Sequence, residues 1–141
     1  MECADFKTDI HLNKQIKSPT LKLKILVAED DKPSQYILSR AVRTFCKEVI
    51  NAKTGLEAVE MCRNNSDIDM ILMDIEMPEM NGYEATRIIR KFNSNVIIIA
   101  QTAYTLMNDR DLAIDAGCND YIAKPINIEE LLLIIKKYFK Y

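Results

Sequence analysis

The chain has little histidine and no patterned cysteine. Its single histidine, His11, sits in a polar lead segment and reads as a solvated residue. No Ser/His/Asp or Cys/His set can be assembled unless that segment folds back. The four cysteines, Cys3, Cys46, Cys62 and Cys118, are scattered, with no CxxC or Cys/His spacing. That pattern argues against zinc or a redox pair, and free thiols in a reducing cytosol are expected. An excess of one charge is also missing: 19 basic and 21 acidic side chains leave a net charge of −2. This balance gives no global attraction to nucleic acid or to an anionic membrane surface. Long apolar runs are absent. The longest aliphatic stretches, Val96 to Ala100 and Leu131 to Ile135, span five residues each, against the roughly 20 that a bilayer needs. Met1-Glu2-Cys3-Ala4-Asp5 shows no basic n-region and no apolar h-region, so no signal peptide is visible. There are no repeats. Asn64-Asn65-Ser66 matches a glycosylation sequon but reads as a polar loop.

What is present suits one domain. A chain of 141 residues buries roughly two-thirds or more of its unfolded surface. Residues 1–21 are polar and weakly periodic, with Ser18-Pro19-Thr20 as a break, and are expected to be a tail or linker. The folded domain is expected over residues 22–141. From Lys22 onward, strand-like and helix-like segments alternate. Strands are predicted at Leu23 to Ala28, Glu48 to Ala52, Ile68 to Met73, Val96 to Ala100 and Asp120 to Ala123.

Helices fall between and after them. The first carries Pro33 in its opening turn, with Ile37, Leu38, Ala41, Val42 and Phe45 at helical spacing. The second starts near Thr54 with Leu56, Val59 and Cys62. A third covers Tyr83 to Lys91, with Ala85, Ile88 and Ile89 on one side. A fourth covers Leu106 to Ala116 and is closed by Gly117. The last begins with a capping-box-like Asn127 and Glu130. Its predicted buried side is Ile128, Leu131, Leu132, Ile135, Tyr138 and Phe139. Five βα units with near-continuous apolar strands predict an α/β fold: a doubly wound parallel sheet with helices on both faces.

The chemistry concentrates at strand ends. Met70-Ile71-Leu72-Met73 ends abruptly in Asp74, followed by a Pro/Asn/Gly turn. In open α/β sheets that edge is where ligands bind. Asp74 can be a nucleophile, a metal ligand or a turn-starting aspartate. Strand 1 also ends in acid, at Glu29-Asp30-Asp31. Two such ends in one crevice repel, and each like pair at 4 Å costs about 4 kcal/mol at an effective dielectric of 20. A hard divalent cation relieves this, and Mg²⁺ favours a few carboxylates with water and phosphate oxygens. Thr102 at the end of strand 4 offers a hydroxyl at the same edge. Lys124 after strand 5 offers a cation suited to a phosphoryl oxygen.

Together these residues resemble the receiver domain of two-component response regulators, over about Lys22 to Tyr141. The separations agree as well as the types: 44 residues from Asp30 to Asp74, 19 from Thr102 to Tyr121 and 22 from Thr102 to Lys124. The run from Met73 to Thr86 is similar to receivers of hybrid sensor histidine kinases in particular. The resemblance implies a five-stranded flavodoxin-like sheet in the order 2-1-3-4-5. It implies that Asp74 takes a phosphoryl group from a phosphohistidine on a histidine kinase or histidine phosphotransfer domain.

Mg²⁺ is then expected on Asp30, on Asp74, on the backbone carbonyl of Glu76, and through water on Glu29. Thr102 and Lys124 would contact the phosphoryl group, Tyr121 would change rotamer with Thr102, and Lys124-Pro125 would be cis. Glu76 and Tyr104 occupy positions that tune water access, and the bulk of Tyr104 is expected to lengthen the life of the phosphoform. Asp31 is expected to cap the next helix rather than bind metal. The resemblance further implies a cytoplasmic domain without direct nucleic-acid contact. Helix 4, strand 5 and helix 5 would form its signalling surface, open to homodimerisation. Such a domain supports its own phosphorylation and dephosphorylation without being a turnover enzyme.

Two other readings stay open on the sequence. One is a Mg²⁺-dependent phosphohydrolase with an aspartate nucleophile; those usually carry it on the first strand, with a second acid two residues on. The other is a degenerate receiver that only binds partners. No DNA-binding or output segment follows Tyr141 in this sequence. A piece of a larger protein is favoured over a stand-alone regulator, on the hybrid-kinase-like motif and the polar lead.

Overall fold

The computed structural model describes residues 22–103 and 108–140. The predicted tail, residues 1–21, and Tyr104 lie outside them. Five strands form one all-parallel sheet in the order β2-β1-β3-β4-β5: β1 Leu23–Ala28, β2 Cys46–Ala52, β3 Met70–Asp74, β4 Ile97–Thr102 and β5 Asp120–Ala123. The helices are α1 Lys32–Val42, α2 Gly55–Asn64, α3 Gly82–Arg90, α4 Asp109–Ala116 and α5 Ile128–Phe139. The expected doubly wound sheet of order 2-1-3-4-5 is the observed one.

Strand alternation sorts the core into two layers. Leu23, Ile25, Val27, Met70, Leu72 and Ile99 pack with Leu38 and Val42 of α1 and Leu131 and Ile135 of α5. Leu26, Ala28, Ile71, Met73, Ile98 and Ala100 pack with residues of α2, α3 and α4. With both faces covered, β1 and β3 are buried at every position, which is why they read as unbroken apolar runs. At each strand's carboxyl end that run stops, and the polar residues of interest begin.

Several local expectations shift. Ile37 and Leu56 are exposed. They lie on the helical rows beside those that meet the sheet, so spacing alone overstates the buried stripe. Strand β2 starts at Cys46, two residues earlier than predicted, after a short 3-10 turn at Arg43–Phe45. Helix α4 is described from Asp109, with Asn108 before it, and Gly117 closes it at φ 113°. The reciprocal capping box forms at Asn81 and Glu84. At Asn127 only the forward bond is made, from the Glu130 N–H to Oδ1 at 3.0 Å. Among the described residues Cys46, Cys62 and Cys118 are free thiols, and burial pushes the Cys46 and Cys62 thiols up to about 11. No helix among the described residues is long and apolar enough to cross a membrane.

Candidate functional site

Backbone pairing at the carboxyl edge sets each side chain in place. The Glu29 N–H donates to the Ala52 carbonyl at 2.9 Å, tying the end of β1 to β2. The Ile75 N–H donates to the Gln101 carbonyl at 3.0 Å, holding the residue after Asp74 against β4. The Lys124 N–H donates to the Thr102 carbonyl at 2.8 Å, bringing the residue after β5 against β4. The Lys124-Pro125 peptide is cis, as expected. Gly82 closes the turn after Asp74, with its N–H on the Ile75 carbonyl at 2.9 Å. A Cβ there would overlap the Asp74 carbonyl oxygen and crowd Ile75, so the turn requires glycine.

Three carboxylates and one ammonium converge. Oxygens of Glu29, Asp30 and Asp74 lie within 4.8 Å of one another. Glu29 is 1% exposed and Asp74 2% exposed, whereas Asp30 faces solvent. Lys124 Nζ sits 3.0 Å from Asp74 Oδ1 and 3.2 Å from Glu29 Oε1. The Asp31 N–H donates to Glu29 Oε2 at 3.1 Å, the Glu76 N–H to Asp74 Oδ1 at 3.3 Å, and Gln35 Nε2 to the Glu29 carbonyl at 3.3 Å.

The electrostatics are those of an acid excess. Burial, then the neighbouring Asp74 charge, raises the Glu29 pKa above its usual value, against the Asp31 N–H and Lys124. Burial would depress Lys124, but its hydrogen bond to Asp74 and the charges of Asp74 and Glu29 outweigh it and raise its pKa. Among the described residues Glu29 Oε1 is buried with an ion-pair partner but no directed hydrogen bond. A deeply placed oxygen donor is thus left available in an all-oxygen acidic set, which is the donor chemistry that Mg²⁺ takes.

The remaining predicted residues fall around this centre. Thr102 is 2% exposed at the end of β4. Tyr121 is half-buried on β5 and packs against the α2–α4 layer. Glu76 is exposed beside Asp74. Asp31 caps α1 as expected, accepting from the Ser34 N–H at 3.0 Å and the Ser34 hydroxyl at 2.6 Å. Tyr104 lies outside the described residues. Sequence reasoning passed over Gln35 and Gln101. Gln101 breaks the apolar β4 run next to Thr102, a signal that carried no role until its burial was known.

Comparison with known proteins agrees. The model of the family "Response regulator receiver domain" matches residues 25–136. Over 133 residues the chain is 35% identical to hybrid signal transduction histidine kinase G of Dictyostelium discoideum; this covers 90% of the chain but only 4% of that kinase. The receiver domain of a Pseudomonas aeruginosa sensor histidine kinase, with magnesium in its active-site cleft, is similar at TM-score 0.74 and 35% identity, covering 85% of this chain and 99% of that one. The receiver of a Saccharomyces cerevisiae response regulator, crystallised with a histidine phosphotransfer protein, is similar at TM-score 0.77 and 33% identity, covering 84% and 89%. On fold, site arrangement and family match alike, the chain belongs to the response regulator receiver domain family.

Proposed function

We propose that Asp74 is the phosphoacceptor of this receiver, taking its phosphoryl group from a phosphohistidine on a histidine kinase or histidine phosphotransfer partner. The observation that carries this reading is Lys124 Nζ at 3.0 Å from Asp74 Oδ1, within a crevice that also holds Glu29 and Asp30. An Asp74 carboxylate oxygen forms the new bond to phosphorus. The phosphorus–nitrogen bond to the donor imidazole breaks, and its electron pair stays on the imidazole. Lys124 exchanges an Asp74 oxygen for a phosphoryl oxygen, and the Thr102 hydroxyl donates to another.

Asp30 and Asp74 would hold Mg²⁺ with the Glu76 backbone carbonyl, and Glu29 would act through water. Bound there, the ion supplies charge neutralisation at the crevice and the phosphoryl oxygens. The new group brings about −1.5 to −2 charges. Moving a two-state surface from mostly off to mostly on takes about 5.5 kcal/mol of differential stabilisation. Thr102, Lys124 and Tyr121 would transmit it to α4, β5 and α5, the face proposed for partner docking or homodimerisation. We place the domain, over residues 22–141, in a cytoplasmic phosphorelay, as part of a hybrid kinase or as a separate regulator.

The test is Mg²⁺-dependent labelling by a small-molecule phosphodonor, with beryllofluoride binding alongside. Wild type takes up one phosphoryl group and Asp74→Asn none. Label retained in Asp74→Asn overturns the assignment. Multiple turnover on phosphoesters would make the protein a hydrolase instead.

A further inference from the structure

The α1/α5 side of the sheet has a feature that phosphoryl chemistry does not use. Strand alternation carries Gln101 onto the face of Ile99, which belongs to the layer under α1 and α5. Gln101 is 1% exposed, and among the described residues neither Nε2 nor Oε1 has a hydrogen-bond partner. Buried side-chain amides are normally paired, because water's hydrogen bonds are lost on burial and must be replaced. The Asp74 crevice does not account for this one, since its hydrogen bonds come from the Asp31 and Glu76 N–H groups and its cation is Lys124.

Gln101 instead lines a cavity of about 210 Å³ between α1 and the segment after β5. Ile37, Leu38, Pro125 and Ile126 supply most of its wall, and Glu29, Ser34 and Lys124 complete the lining. The exposure of Ile37, unexpected for an apolar residue on this helix, follows from its place in that wall. The walls favour an apolar body without charge. Lys124 is already paired to two carboxylates and does not call for an anion. A primary amide offers a donor and an acceptor on one edge, so its complement is a cis-amide edge with the reverse order. The volume lies below the roughly 300–1,000 Å³ of a drug-sized site, which limits the guest to about one ring.

We propose that this cavity binds a small uncharged molecule that presents a cis-amide edge, of lactam or pyrimidine type, to Gln101. The cavity adjoins the Asp74 crevice through Glu29 and Lys124, but recognition rests on Gln101 and the apolar wall, whether or not Asp74 is phosphorylated.

The experiment uses the full chain, unphosphorylated and without metal, observed by NMR with labelled side-chain amides and methyl groups. The probes are 2-pyridone and N-methyl-2-pyridone, which lacks the N–H donor. The expected result is a saturable shift of the Gln101 side-chain amide and of the Ile37, Leu38 and Ile126 methyls with 2-pyridone. The N-methyl compound binds at least about tenfold more weakly, because it leaves a buried acceptor unpaired. In Gln101→Leu that preference disappears. Should Gln101→Leu fail to fold in a thermal melt, Gln101→Met carries the same comparison. No saturable shift, equal binding of the two probes by wild type, or a preference that survives the substitution overturns the proposal. So does a Gln101 amide that keeps its contact to water at saturating probe. Phosphoryl uptake is not read here, so failure of this site and failure of the Asp74 assignment remain distinguishable.

Discussion

At the amino-terminal edge of the sheet a lysine is buried and its acids are exposed; at the carboxyl-terminal edge the arrangement is reversed. The Lys24 side chain is 8% exposed, and its ammonium reaches Asn65 Oδ1 at 2.9 Å, Asp67 Oδ1 at 3.1 Å and Glu48 Oε1 at 3.5 Å. Glu48 and Asp67 are more than half exposed, so water satisfies their remaining oxygens. At the other edge Glu29 and Asp74 are buried, and among the described residues the partly exposed Lys124 is the one ammonium placed between them. The first cluster is complete as it stands and ties β1 to β2 and to the segment before β3. The second brings three carboxylates around one lysine, two of them buried. That difference separates an ion cluster that holds a fold together from one arranged for chemistry.

Removing each lysine breaks the comparison most sharply. Lys124→Met leaves two buried carboxylates facing each other. Breaking a buried pair costs roughly 3–5 kcal/mol, and partial exposure of Lys124 puts the expected loss at about the lower figure in metal-free protein. Added Mg²⁺ should recover part of that loss, while beryllofluoride binding should stay weak. Thermal melts with and without Mg²⁺ measure the first, and titration measures the second. Lys24→Met should lower the melting temperature by less, and Mg²⁺ should not restore it. A Mg²⁺ rescue of Lys24→Met equal to that of Lys124→Met would dissolve the distinction.

The two edges should also titrate with opposite sign. The Asp67 pKa is lowered below its usual 3.8, first by its hydrogen bond from Lys24. Its contribution to stability is present above 3.8 and is lost as pH falls through the folded value. The Glu29 pKa is raised above 4.5, mainly by burial. Between 4.5 and that raised value the folded protein holds a proton the unfolded chain has released, so stability falls as pH rises through this window. Urea unfolding against pH of metal-free Asp67→Asn and Glu29→Gln checks both signs. Asp67→Asn should flatten the most acidic limb, and Glu29→Gln should remove the fall above pH 4.5. The smallest effect belongs to Tyr104→Ala, expected to speed loss of the phosphoryl group a few-fold. Equal dephosphorylation rates would remove Tyr104 from control of water at the carboxyl edge.

Much of this was legible beforehand because it rests on local rules. The abrupt end of the Met70–Met73 run marked Asp74, and the spacing of Asp30, Thr102 and Lys124 marked its companions. Pairing in a parallel sheet then has to bring those strand ends to one edge. Ile37 and Leu56 marked their helices correctly, but their exposure was not legible, because periodicity fixes the angle between side chains and not which row of a helix meets the sheet. Gln101 went unassigned because a polar residue at a strand end is ordinary until its surroundings are known.

The order of apolar runs, the Asp74 turn and the acidic end of β1 determined a parallel α/β sheet with a polar carboxyl edge, because strand period and turn chemistry are written in neighbouring residues. Only the tertiary structure decided which lysine is paid back by solvent-facing acids and which stands over buried ones. It alone decided that the Gln101 amide has no hydrogen-bond partner among the described residues. Burial and pairing depend on side chains dozens of residues apart, and no local rule carries that distance.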